Sequence, residues 1–345
     1  MSGLRDVVEV LQKSYGDDLV TVGVKHDIVP RLPTGVFPFD LATGGGFPMG
    51  KLSIVYGPES SGKTNMCLKT IAMAQQLYPD HVCAFMDIEN SFDKNWAAAL
   101  GVDVEKLVYV RPNWGEQAVD MAHKIMQAGD LSLLVIDSLA SLIPIKTVED
   151  QADKAIVGGN AQLIQKLMYR VLHDMSTAMN DGRTPTVIAI NQVRMKIGVI
   201  YGDPEKMPGG KAMEHASGLT VRIWGKNIIQ KEIHDTVPAK KLTKVIIKKH
   251  KVPICNLAAE FEMFMIPHDG FGVGEISDWN TLSAYLKSLG WLGKEGQKWK
   301  LLDTEFSTIK GIRQYLFEHP NVDHNLRQRV ITEELEKIYK GKIAK

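Results

Sequence analysis

Cysteine is scarce: Cys67, Cys83 and Cys255 are the only three in 345 residues, and they are widely separated. They suggest no disulfide framework and most simply fill a core in a reducing compartment. No apolar run approaches the ~20 residues that span a bilayer, so no membrane contact is expected. The N-terminus has no signal-peptide pattern, which makes a cytoplasmic location the expectation. An excess of charge is missing too, with 41 Lys plus Arg against 40 Asp plus Glu. Net charge therefore leaves no footprint for a nucleic acid, and any such site must be local. What is present, 44% hydrophobic and 23% charged residues, is an ordinary globular composition. The length suffices for one large α/β core and a smaller satellite domain.

The most specific stretch is Gly57-Pro58-Glu59-Ser60-Ser61-Gly62-Lys63-Thr64. It follows the apolar run Leu52 to Tyr56 and precedes Asn65 to Gln76, which reads as a helix. A strand, a glycine-bounded loop ending in Lys-Thr and a helix together define a phosphate-binding loop. Its backbone N–H groups and the helix dipole face a polyphosphate. Lys63 is then expected to neutralise the β and γ phosphates of ATP, and the Thr64 hydroxyl to hold Mg²⁺. The bland alternative is a chance glycine turn.

Upstream, Leu4, Val7, Val8, Val10 and Leu11 form an apolar stripe at helical spacing, and Leu19 to Gly23 reads as a short strand. A lone helix and strand must dock on the main body or on another subunit. Downstream, Val82 to Met86 is an apolar strand running into Asp87-Ile88-Glu89-Asn90. An acid at the carboxyl edge of a parallel sheet sits where ligands bind, so Glu89 is a candidate to orient or deprotonate the water attacking the γ-phosphate. A helix cap or surface acid is the alternative. Leu131 to Asp137 is nearly all apolar, belongs at the sheet centre and ends in the acid expected to serve Mg²⁺, the Walker B role.

Pro185 to Ile190 is another central strand, ending in Asn191-Gln192. An amide there can sense whether ATP or ADP is bound. Val193 to Gly210 then mixes basic, apolar and glycine residues without a period, and Asp150 to Gly159 is a second, shorter loop of that kind. Arg194 and Lys196 beside Ile197 and Tyr201 suit single-stranded nucleic acid, with charges for phosphates and apolar wedges for bases. A lid over a small substrate is the competing reading.

Four segments together, GPESSGKT at 57–64, FMDIENSFD at 85–93, VIDSLASL at 135–142 and NQVRMKIGVIYGDPE at 191–205, resemble the RecA recombinases in order and spacing. The resemblance implies an α/β fold with a mostly parallel central sheet. Residues 1–31 would form a polymerisation arm, 32–275 a RecA-type ATPase core with two DNA-binding loops, and 276–345 a small α+β C-terminal domain. It implies that Lys63 and Thr64 bind ATP and Mg²⁺, Glu89 positions the water, Asp137 is Walker B and Gln192 the nucleotide sensor. Asp93 and Trp96 match the adenine site, with Trp where Tyr is usual. Lys249 and Lys251, within Lys248 to Lys251, match lysines that reach across a subunit boundary to the neighbour's γ-phosphate; without the family this run reads as a solvated basic edge strand. Val157 and Gly158 fall in the first DNA loop, Val157 replacing a base-separating methionine. Arg194, Met195, Lys196, Ile197, Gly198, Gly209 and Gly210 fall in the second.

From about Ile276 the character changes to a hairpin-like Gly293 to Leu301 and helical stretches Phe306 to Phe317 and Asn325 to Lys340. This resembles the family's C-terminal domain, thought to collect duplex DNA; Lys294, Lys298, Lys300, Lys310 and Arg313 are the candidate phosphate contacts. The acidic tail usual in the family is not matched by Lys340 to Lys345. The expectation is a DNA-dependent ATPase that forms helical filaments on single-stranded DNA and catalyses homologous pairing and strand exchange. A ring-shaped helicase motor and a non-catalytic DNA-binding paralogue are the alternatives from other classes.

Overall fold

A computed structural model describes residues 3–15, 29–146, 159–195, 205–206, 208–209, 213 and 215–340. Its first helix, α1 (Leu4–Tyr15), leaves its apolar stripe uncovered, with Leu4 80% and Val10 62% exposed. The strand expected at Leu19 to Gly23 lies outside the described residues.

Nine strands make the main sheet. Six run parallel: β3 (Leu52–Gly57), β4 (Val82–Asp87), β5 (Leu107–Val110), β6 (Leu131–Asp137), β7 (Thr186–Gln192) and β10 (Leu219–Ile228). Beyond β10 the sheet continues antiparallel through β11 (Lys240–His250), β12 (Ala258–Phe264) and β13 (Ile276–Ser277). The order is β13-β12-β11-β10-β3-β7-β6-β4-β5. The middle strand is therefore β3, not β6; β6 is interior, between β7 and β4, because the antiparallel extension lengthens the sheet on the other side of β3.

Why the parallel strands read as continuous apolar runs is plain from the layers on each face. One side carries Val55, Leu133, Val135 and Ile190 against α2 (Phe37–Thr43), α3 (Lys63–Leu77) and α4 (Lys94–Ala99), with Met66, Ile71 and Ala97 facing in. The other carries Ile54, Leu134, Ile136 and Ala189 against α5 (Gly115–Met126) and α6 (Gly159–Asn180) through Ala118, Ala122, Ile164 and Leu167. Alternate residues of one strand thus feed opposite cores, and every carboxyl end emerges on a single edge.

A second, smaller sheet of β14 (Leu292–Glu295), β15 (Lys298–Leu301) and β16 (Thr304–Phe306) packs with α7 (Trp279–Ser288), α8 (Ile309–Glu318) and α9 (Pro320–Lys340). Phe306 closes β16, so α8 starts only after Thr308, whose hydroxyl accepts the Gly311 N–H at 3.1 Å. Pro320 opens α9 at a position where its missing N–H has no intrahelical acceptor to lose. Ile276 and Ser277 pair with Met263 and Glu262 on the main sheet, so the small unit follows them. Its core is shared with α2 through Phe37 and Leu41.

The junction is tied by Arg327. Its guanidinium donates to Asp278 at 2.5 and 3.3 Å and to Asp323 at 2.7 Å, and lies 5.1 Å from the Phe37 ring centroid. Burial pushes the Asp278 carboxyl up, and Arg327 opposes that shift. Lysine cannot reproduce a planar fork on two carboxylates. Arg327→Lys should lower stability by about 1–2 kcal/mol, read as an earlier urea midpoint.

Candidate functional site

Four strand ends, of β3, β4, β6 and β7, and the start of α3 converge on the carboxyl edge. Gly57 ends β3 where a Cβ would lie 2.0 Å from the Ile223 carbonyl oxygen, so only glycine lets the loop turn beside β10. Gly62, at φ +97°, leads into α3, and no side chain caps that helix. Its first N–H groups have no intrahelical acceptor, which is the donor array an anion needs. Lys63 folds back onto this loop, donating to the carbonyls of Gly57 (3.1 Å) and Pro58 (2.5 Å) and to Ser61 Oγ (3.5 Å). Burial lowers its pKa, opposed by Asp137, Glu89 and Glu59.

Thr64 Oγ1 donates to Asp137 Oδ2 at 2.8 Å. A hydroxyl and a carboxylate in contact are hard oxygen donors of the kind Mg²⁺ takes. Burial pushes the Asp137 carboxyl up to about 6; the Thr64 hydrogen bond works against this and the Glu89 carboxylate adds to it. Glu89 is held nearby, since the Ile88 and Glu89 N–H groups both donate to the Asp137 carbonyl, at 2.6 and 3.2 Å. Gln192 Nε2 donates to Glu89 Oε1 at 3.0 Å. Lys63, Thr64, Glu89, Asp137 and Gln192 thus form one connected cluster.

Asp93 caps α4, accepting from the N–H groups of Asn95 (2.8 Å) and Trp96 (3.1 Å). The Trp96 indole N–H donates to Asn65 Oδ1 at 3.0 Å, which sets the ring beside the first turn of α3. Lys249 and Lys251 are not in the cluster. Lys249 pairs with Thr220 and Thr220 with Ile54, while Lys251 donates its N–H to Gly218, which in turn bonds Leu52. Lys251 therefore lies at the level of Leu52, about 16 Å along the sheet from Gly57 at ~3.3 Å per residue. Both ammonium groups converge on the His215 carbonyl, at 3.3 and 2.8 Å. The strand carrying Lys249 is interior, between β10 and β12, not an edge strand.

Of the DNA-loop candidates, Arg194 and Met195 form β8 (Arg194–Met195), paired with β9 (Glu205–Lys206) in a short ladder directly after β7. Gly209 has φ +94°, and a Cβ there would meet Met213 Sδ at 2.3 Å, so the position requires glycine. Val157, Gly158, Lys196, Ile197, Gly198 and Gly210 lie outside the described residues. In the small unit, Lys298 pairs with Glu305 at 2.5 Å and Lys300 with Glu295 at 3.5 Å.

Several residues enter that sequence reasoning passed over. Asp87 accepts from the N–H groups of Ser91 and Phe92 (both 3.1 Å) and from the Tyr109 hydroxyl (2.9 Å), fixing the turn that presents Glu89. Lys241 reaches the Ser60 carbonyl at 2.6 Å and braces the phosphate loop from β11. Asn191 Nδ2 bonds the Pro208 carbonyl at 3.0 Å, and Asn160 Nδ2 bonds the carbonyls of Ala140 (3.1 Å) and Leu142 (2.7 Å). These two amides tie the flanks of the two loop segments to the ends of β7 and β6. Asn191 stood next to the expected sensor; Lys241 carried no local signal.

A glycine-bounded loop between β3 and α3, with carboxylates at the ends of β6 and β4 on the same sheet edge and β7 inserted between β3 and β6, is the arrangement of a P-loop ATPase. The model of the RecA N-terminal domain matches residues 3–268. Among similar proteins, Protein RecA of Nautilia profundicola is 35% identical over 93% of this chain and 88% of its own length. Protein RecA of Aquifex aeolicus is 34% identical, covering 93% and 89%, and that of Bdellovibrio bacteriovorus 32%, covering 96% and 85%. The chain belongs to the RecA family. With that membership goes a DNA-dependent ATPase acting in recombination and repair. Among the described residues no helix is long and apolar enough to cross a membrane.

Proposed function

We propose that this ATPase works as a helical filament on single-stranded DNA, with ATP and Mg²⁺ held between adjacent protomers, and catalyses homologous pairing and strand exchange with duplex DNA. Thr64 and Asp137 would hold Mg²⁺, which would supply positive charge to offset that of the phosphates. Lys63 leaves its loop carbonyls for the β and γ phosphates. Glu89 orients the attacking water, and Asp93 and Trp96 take the adenine. Lys249 and Lys251, too far from their own phosphate loop, serve the neighbour's nucleotide. A head-to-tail contact of this kind generates an open helix rather than a closed dimer.

One observation carries the reading: the hydrogen bond from Gln192 to Glu89. Gln192 ends β7, and β8 with Arg194 follows one residue later, so a change at the γ-phosphate reaches the DNA segment through a single strand end. Electron microscopy with single-stranded DNA and a slowly hydrolysed ATP analogue tests the assembly. Extended helical filaments are expected, whereas closed rings would indicate a helicase motor. Arg194→Ala should weaken DNA binding at every sequence and reduce the slope of log affinity against log salt by about 0.7, the value for one phosphate contact on a single strand. Titration at several salt concentrations reads that slope.

A further inference from the structure

We propose that Tyr339, near the end of α9, is a positioning residue for the inter-subunit lysines: its hydroxyl clamps the Ile254 peptide and so fixes the segment carrying Lys249 and Lys251. This rests on the inter-subunit role assigned to those lysines above.

Pairing holds Lys249 through Thr220, and the Lys251 N–H donates to the Gly218 carbonyl at 2.7 Å, but the ladder goes no further. Pro253 supplies no N–H, and β11 ends at His250. Buried peptide groups there must find other partners, and they find them on three separate parts of the molecule. The N–H groups of Cys255 and Asn256 donate to the Ala42 carbonyl at the end of α2, at 2.9 and 3.1 Å. Arg31, where the N-terminal arm joins the core, donates to the Pro253 carbonyl at 2.5 Å. Between these two anchors the Ile254 N–H donates to the Tyr339 hydroxyl at 3.1 Å, and that hydroxyl reaches back to the Ile254 carbonyl at 3.4 Å. One phenol therefore bonds both backbone polar groups of Ile254, the N–H of one peptide unit and the carbonyl of the next, three residues after Lys251.

Leu335, one turn earlier on α9, shares the same face. A Cβ on Gly44 would sit 3.1 Å from both the Leu335 side chain and the Pro253 carbonyl, so helix and segment press on one glycine. The helix is thus held against the segment by packing, and the hydroxyl adds direction. A long lysine side chain loses rotamer freedom when it is aimed, and a wandering backbone root would increase that loss. Gly218 holds the root of Lys251 from one side, and Ile254 on Tyr339 holds the chain that leaves it on the other. The geometry also gives the C-terminal unit a route to the ATPase, since α9 belongs to that unit and ends on the lysine segment.

Tyr339→Phe keeps the ring and its packing but removes both bonds. Single-stranded-DNA-stimulated ATP turnover should fall about five- to tenfold, the scale of one lost hydrogen bond to a buried peptide, with ATP affinity close to wild type and the urea midpoint only slightly earlier. Amide exchange across residues 249–256 should quicken. In a Lys251→Ala background the same change should lower turnover by less than about twofold, because residues acting through one another do not add. Unchanged turnover in Tyr339→Phe, or an undiminished effect in the Lys251→Ala background, would overturn the positioning role while leaving the inter-subunit lysines standing. Full DNA-stimulated turnover in Lys251→Ala alone would instead remove the inter-subunit reading, and this inference with it.

Discussion

Lys63→Ala should reduce DNA-stimulated ATP hydrolysis by about 10³-fold, the scale of removing a preorganised charge from a developing phosphoryl centre. The ammonium acts on the buried Asp137 carboxyl and pulls its pKa down, against the push of burial. Without it the Asp137 and Glu89 carboxylates face each other and the phosphates with one cation fewer to offset the repulsion, so nucleotide binding should weaken as well. Folding should survive. Burial of Lys63 disfavours its charged form, as its lowered pKa shows, so deleting the charge relieves a desolvation penalty. Lys63→Arg should not rescue, since a guanidinium fork cannot sit where a point charge meets the carbonyls of Gly57 and Pro58. Equilibrium binding of a fluorescent ATP analogue, steady-state turnover and the urea midpoint separate these effects. Turnover within tenfold of wild type would place the chemistry elsewhere.

The parts of this site that were legible in the sequence are those whose chemistry is contiguous. Gly57 to Thr64 announces itself because the strand, loop and helix of a phosphate site must be consecutive, and α3 begins at Lys63 as that requires. Glu89, Asp137 and Gln192 were visible because each ends an apolar run, and a parallel sheet gathers such ends on one edge whatever the strand order. The family resemblance pointed to Asp93 and Trp96, the latter beside the first turn of α3, and to Lys249 and Lys251, which lie outside the cluster on the His215 carbonyl. Lys241 was invisible for the opposite reason. Its contact with Ser60 spans 181 residues and depends on β11 lying two strands from β3, a neighbour relation that no local pattern encodes. Tyr339 and Ile254, 85 residues apart, fall in the same class. The sheet centre depends on such neighbours too: β6 reads as a nearly continuous apolar run and is interior, but β10 and the antiparallel strands from β11 onward extend the sheet and move its middle to β3.

Glu89→Gln tests the reaction itself rather than the binding pocket. The change is isosteric, and the new side chain keeps an amide oxygen to accept the Gln192 Nε2 donor, so the bond at 3.0 Å and the strand ends it joins should persist. What disappears is the negative charge able to orient or deprotonate water. Turnover should fall about 10²–10⁴-fold, while ATP and DNA binding remain and DNA-bound filaments outlast those of wild type. A pH series adds a sign that simple damage to the pocket would not produce. Asp137 sits at about 6, raised by burial, with the Glu89 carboxylate pushing it further up. As pH drops through that value the carboxyl takes a proton and loses its capacity as a metal ligand, so Mg²⁺-dependent nucleotide affinity in wild type should decline there. With Glu89 neutral the repulsion is gone, the Asp137 pKa falls, and the midpoint of that decline should move to lower pH. Binding titrations of both proteins between pH 5 and 8, the window around about 6 in which a raised carboxyl titrates, read the displacement. A midpoint that stays put or moves up would mean the two carboxylates do not feel each other, and the shared site built on Glu89 and Asp137 would not stand.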